Sequence, residues 1–198
     1  MTETDDITRH RFLTDPFGCS QYEKLGRFLF QYANAETMFH MAFRHYSQMP
    51  IGEARMLFGG RGARNIENII EKTSGLIRLY KVADDLAKDF ENMRKQFKVL
   101  GLVRGKVLHR GWQAYRGGFL VSDVATAQVR EKVDTLEVTS DQMDDMIEDL
   151  LRICLCIRFR HILPNDPVDL PPTNQPWRYN EPKPVSSGRG NRAEQTRG

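Results

Sequence analysis

Two stretches of the chain place apolar residues at alternating spacings of four and three, the period of a helix face turned toward a core. In the first, Leu25, Leu29, Tyr32, Glu36, Phe39, Phe43 and Tyr46 form one row, and its fourth member is a carboxylate. In the second, Leu79, Ala83, Leu86, Phe90, Met93, Phe97 and Leu100 lead to a slot filled by Arg104. A guanidinium keeps its charge and is costly to bury alone, so an acid on a facing row is its expected partner. Glu36 is that acid, and the pattern predicts a partly buried polar site made by Glu36 and Arg104, with His109 close by. Two plainer arrangements use the same residues. One is a buried salt bridge that only fixes helix register, and the other places both residues at the stripe edge, reaching water.

The same periodicity predicts the remaining elements. The first helix spans about 21–47 and ends at Met49-Pro50-Ile51-Gly52, because proline cannot continue the hydrogen-bond ladder. A short helix follows over about 52–58, up to Gly59-Gly60. A further helix over about 63–80 turns Ile66, Ile69, Ile70, Thr73, Leu76 and Ile77 inward, with Thr73-Ser74-Gly75 as its weak point. After a turn near 81–84, the long helix runs to between Val103 and His109. The period then fades, and 117–121 and 136–139 read as extended. Ser140 caps a last helix whose early acids, Asp141, Asp144, Asp145, Glu148 and Asp149, and later Arg152, Arg158 and Arg160 suit its dipole. Its inward residues are Met143, Ile147, Leu150, Cys154 and Ile157. The expected fold is all-α, an antiparallel bundle of four main helices with a short helix and a small extended insertion before the last. An arm (1–20) precedes this domain (21–163), with Asp15-Pro16-Phe17-Gly18 as a turn. A tail without apolar period (164–198) follows it and is expected to be disordered.

Composition narrows the class. A chain of 198 residues with 28% charged and 40% hydrophobic content suits one domain with a core and appendages. No long apolar run suggests a membrane span, and early Glu3, Asp5 and Asp6 argue against a signal peptide, so a cytoplasmic protein is expected. The 3 cysteines, Cys19, Cys154 and Cys156, have no zinc-like spacing, and Cys154 and Cys156, in an apolar run, are expected to be reduced packing thiols. No metal, cofactor or phosphate-loop motif is expected.

The net charge of +3 hides a local excess. Residues 92–122 carry no acid, while Arg94, Lys95, Lys98, Arg104, Lys106, Arg110 and Arg116 are cationic and Trp112, Tyr115 and Phe119 interleave with them. Cations hold phosphates and aromatic rings stack on bases, so Lys98, Lys106, Arg110, Trp112 and Arg116 are candidate nucleic-acid contacts. The same segment also reads as a solvated charged face with core aromatics. His40 and His45 read as packing or surface residues, and His161 as a charge suited to a helix C-terminus.

The element Arg104-Gly-Lys-Val-Leu-His109, an Arg-x4-His near the end of a long helix, resembles the HEPN superfamily of nucleotide-binding helical domains. The first helix, with Phe30-Gln-Tyr-Ala-Asn-Ala-Glu36, is similar to the opening helix of bacterial members, and the likeness covers about 22–161. It implies a metal-independent endoribonuclease of a bacterial toxin–antitoxin or phage-defence setting, acting on RNA as a homodimer, with an antitoxin or other protein partner. Arg104 and His109 would be the active pair, and Glu36 a supporting polar residue. Gly105 stands where active members usually carry a polar residue, which leaves a non-catalytic module binding nucleic acid or protein as the alternative. Five helical residues span about 140°, so Arg104 and His109 share a site only if Gly105 ends the helix or a second copy completes it, and both together are expected.

Overall fold

The computed structural model describes residues 16–50, 52–53, 66–109, 111–115, 117–122, 135–164, 168–172 and 174–180, with side chains from residue 19 onward except those of 111–115. Four main helices dominate: α1 (Pro16–Ser47), α2 (Ile66–Leu79), α3 (Asp84–His109) and α4 (Ser140–Cys156). Helix α1 starts earlier than expected, at Pro16 rather than near Gln21. Proline suits a first helical turn because its missing N–H has no helical acceptor there anyway. The expected short helix is helical at Gly52 and Glu53, and its remainder lies outside the described residues.

Local chemistry explains several boundaries. At the end of α2, Lys81 N–H donates to Arg78 O (3.1 Å) and Val82 N–H to Ile77 O (3.1 Å), with Lys81 in the left-handed region at φ 52. This pair of bonds closes the orphan carbonyls of the last turn. Because the chain turns here, Leu79 and Ala83 lie outside α3, and Leu79 is 71% exposed. The second apolar row therefore joined two elements. Asp84 and Asp85 then open α3, where acids suit the helix dipole. Helix α4 is capped by Thr139 rather than Ser140: its side chain accepts from Gln142 N–H (3.1 Å), and Gln142 Oε1 accepts from Thr139 N–H (2.9 Å). Past Cys156 the helix widens to a π-helical turn (Ile157–Ile162), sealed by Leu163 N–H on Arg158 O at 2.8 Å.

The extended insertion is a three-stranded antiparallel meander, β1 (Gly111–Tyr115), β2 (Gly118–Ser122) and β3 (Thr135–Thr139). Phe119, Val121 and Val138 face the bundle, while Leu120 and Glu137 alternate outward. Helix α1 packs along α4 and α2. Phe28, Tyr32, Ala35, Phe39 and Ala42 of α1 meet Phe90, Met93, Phe97 and Leu100 of α3 and Met143, Met146, Leu150 and Ile153 of α4 in one core. No helix of the described residues is long and apolar enough to cross a membrane.

The expected structureless tail is corrected over 168–172 and 174–180. Asp149, buried on α4, accepts from Arg178 N–H (3.0 Å), Tyr179 N–H (3.0 Å) and Gln96 Nε2 (2.8 Å). Arg152 donates to the carbonyls of Pro172 (3.2 Å), Gln175 (2.8 Å) and Pro176 (3.1 Å), and its guanidinium lies 4.3 Å from the Trp177 ring centroid. The segment is thus a strap, tied down mainly through its backbone.

Candidate nucleic-acid interface

Helix α3 continues without a break through Gly105 to His109. Gly105 therefore does not end the helix, and of the two ways to bring Arg104 and His109 together this is not the one the structure uses. On a regular helix they stand about 140° and 7.5 Å apart. The core row also passes beside Arg104: Leu100, Val103 and Val107 are buried, while Arg104 is half-buried one residue off that line and His109 is exposed. Within one chain the two side chains leave the helix in different directions.

Arg104 rests on an aromatic ring. Its guanidinium carbon lies 5.4 Å from the centroid of Tyr32, within range of a cation–π contact. Tyr32 in turn stacks on Phe97, with centroids 4.6 Å apart and planes 20° apart. Glu36 follows Tyr32 by one helical turn and is half-buried. Among the described residues no ion pair joins Glu36 to Arg104, although both charges act on the Tyr32 phenol. Burial first, and then the Glu36 charge, push the Tyr32 phenol well above its ordinary range, with Arg104 opposing; the hydroxyl stays protonated. His40 extends the row one turn further, and burial lowers its basicity against an opposing pull from Glu36.

Beside this row, α1, α2 and α3 enclose a cleft of ≈ 380 Å³. Tyr32, Ile66, Ile70, Phe97 and Leu102 supply apolar and aromatic wall, Glu67 and Glu71 line it from α2, and Arg94 and Lys98 from α3. Gly101 makes room for the Tyr32 phenol at the cleft wall: a Cβ there would stand 2.9 Å from its oxygen. Arg94 is already held on Glu91 by two bonds (2.9 and 2.6 Å) and also feels Glu71 and Glu67, whereas Lys98 is exposed.

Of the expected nucleic-acid contacts, Lys98 lines the cleft, and Lys106 sits half-buried in the last turn of α3 with His109. Trp112 lies on β1 with its side chain outside the described residues, as are Arg110 and Arg116 altogether. The pattern missed Tyr32, Gly101, Glu67 and Glu71. An aromatic residue inside an apolar row looks like core, and only the glycine opposite it signals an opening.

A second polar cluster lies at the π-helical turn. His161, read as a charge suited to a helix C-terminus, is buried: its Nδ1 shares a 2.8 Å hydrogen bond with Tyr46 Oη, and its Nε2 lies 3.9 Å from Asp89 Oδ2. Arg160 donates to Asp89 at 3.0 Å. Burial pushes the Asp89 carboxyl up, but His161 and Arg160 together outweigh it and hold the group below the usual carboxylate range. Burial pushes the Cys154 thiol up to about 11 and raises Cys156 as well, as expected for packing thiols. Among the described residues no group of His, Cys, Asp or Glu is arranged to hold a metal ion. Comparison with family models, curated proteins and solved structures finds no match to this chain.

Proposed function

We propose that this chain is a metal-independent endoribonuclease of the HEPN type, acting on RNA in the cytoplasm as a homodimer. One observation carries the reading: Arg104 and His109 occupy the last two turns of one helix, both reachable by solvent, and among the described residues neither is neutralised by an ion pair. RNA brings its own nucleophile. The 2′-hydroxyl attacks the adjacent phosphorus and the bond to the 5′-oxygen breaks, leaving a 2′,3′-cyclic phosphate and a 5′-hydroxyl. His109 moves a proton, for which an imidazole is suited near neutral pH, and the Arg104 fork holds the phosphate. Glu36 supports Arg104 through Tyr32, whose phenol feels both charges. Since α3 stays regular, a second copy supplies the other half of the pair. Lys98, Lys106, Arg110, Trp112 and Arg116 contact the strand. The toxin or phage-defence setting, with an antitoxin or other protein partner, follows from the resemblance alone.

A second reading is favoured by Gly105 and by the divergence of Arg104 and His109: a non-catalytic module that binds nucleic acid or a protein partner through 92–122. Cleavage of a labelled single-stranded RNA pool in EDTA separates the two. The wild type is expected to give cyclic-phosphate ends, and folded His109→Ala and Arg104→Ala to lose at least ~100-fold in rate. A folded wild-type dimer that leaves the pool intact would replace the first reading with the second.

A further inference from the structure

We infer that the cleft between α1, α2 and α3 is a base-binding subsite that takes a guanine of single-stranded RNA. The inference rests on the RNA reading above and adds to it a selection of base.

The cleft has the attributes of a ligand site beyond its volume of ≈ 380 Å³, which is ample for a nucleoside. Tyr32 is 6% exposed, and no hydrogen bond to another described residue occupies its hydroxyl, although the residue lines the cleft. The hydroxyl is not sealed from solvent, so a ligand atom in the cleft can reach it and supply a partner. Gly101 lets the phenol sit at this wall of the cleft, since any Cβ would press on its oxygen at 2.9 Å.

The polarity of the walls chooses among bases. Glu67 and Glu71, exposed one turn apart on α2, only accept hydrogen bonds when ionised, and Lys98 on the α3 side only donates. Guanine presents the complementary order: two adjacent donors, N1–H and the 2-amino group, which a carboxylate can grip with both oxygens, and next to them the acceptors O6 and N7, which suit a lysine. Uracil has a single ring N–H between two carbonyls. Adenine and cytosine each offer one amino group beside an acceptor nitrogen, which a carboxylate repels. Apolar Ile70 and Leu102 suit the base faces. Arg104 lies against the same Tyr32 ring, so a nucleotide whose base fills the cleft has its phosphate within about one nucleotide's length of that guanidinium.

The test is calorimetric titration of the full chain with the four ribonucleoside 5′-monophosphates and with a 2′-O-methyl RNA tetramer containing one guanine, which cannot be cleaved. The expected result is saturable binding that favours GMP over UMP by at least ~10-fold, tighter still for the tetramer. Tyr32→Phe is expected to weaken GMP about 5-fold through one lost hydrogen bond, and a Glu67→Gln/Glu71→Gln variant by ~10-fold or more, both with unchanged thermal melts. Absent or base-indifferent binding by the wild type overturns the inference, as does GMP binding that both variants retain. A tetramer bound no better than GMP overturns the RNA source. The two proposals fail separately: cleavage without guanine binding removes only the subsite, and guanine binding without cleavage removes only the ribonuclease.

Discussion

At Gly118 the chain adopts φ +156, and a Cβ built there would stand 2.1 Å from Val138 O and 2.7 Å from Thr139 Cα on the neighbouring strand. Neither contact involves a flexible side-chain end, so the backbone itself would have to move. Gly118→Ala is therefore expected to destabilise the protein by at least ~2 kcal/mol and to lower its melting temperature, whereas Gly105→Ala, whose Cβ meets nothing within 4 Å, is expected to leave it unchanged or raise it. Paired thermal melts check both. The same scale shows what single positions reveal. Glu36 and Arg104 stood out because a charge interrupts an apolar row, yet the core slot belongs to Val103, one residue earlier. A row read at four and three drifts by a residue over many turns, and the turn at Lys81 broke it before α3 began. Tyr32 was invisible for the opposite reason, since nothing in the row marks a phenol that faces a cleft.

At the scale of elements, the four helices were legible because each buries one apolar stripe, and that stripe is a local property of the sequence. The strap over 168–172 and 174–180 was not. It is held through its own carbonyl and N–H groups by Asp149, Arg152 and Gln96, which lie on other elements, and it has little apolar period of its own. Asp149 is the informative case. As an acid early in the last helix it looked like a partner of the dipole, but it is the tenth residue of α4 and is buried, and burial raises its carboxyl above the usual range against the hydrogen bonds of Arg178, Tyr179 and Gln96. Asp149→Ala would leave those two backbone N–H groups without an acceptor and the Gln96 amide with Tyr179 O (2.9 Å) alone. The expected cost is roughly 2–4 kcal/mol, because unpaired buried donors lose their solvation uncompensated. Release of the strap should also move tryptophan emission to the red as Trp177 leaves Arg152. Denaturant titration and fluorescence spectra check the two effects, and an unchanged spectrum with unchanged stability would mean that the strap contributes nothing to the fold.

For the whole molecule, the regularity of α3 has a consequence that reaches beyond one chain. If Arg104 and His109 act on the same phosphate while lying about 140° apart on one helix, they must do so across a symmetric pair of copies, with the arginine of one beside the histidine of the other. A dimer in which both copies lack His109 or both lack Arg104 is then inactive, but a mixed dimer keeps one complete pair. Arg104→Ala and His109→Ala proteins, unfolded together and refolded at equal concentration, form mixed dimers in about half of the population by random pairing. Each mixed dimer holds one intact pair of two, so recovered RNA cleavage should approach about a quarter of the wild-type rate, while each variant refolded alone stays inactive. A mixture as inactive as its components, with mixed dimers present by mass, would show that both groups must come from the same chain. The straight helix would then have to open at Gly105 on binding RNA.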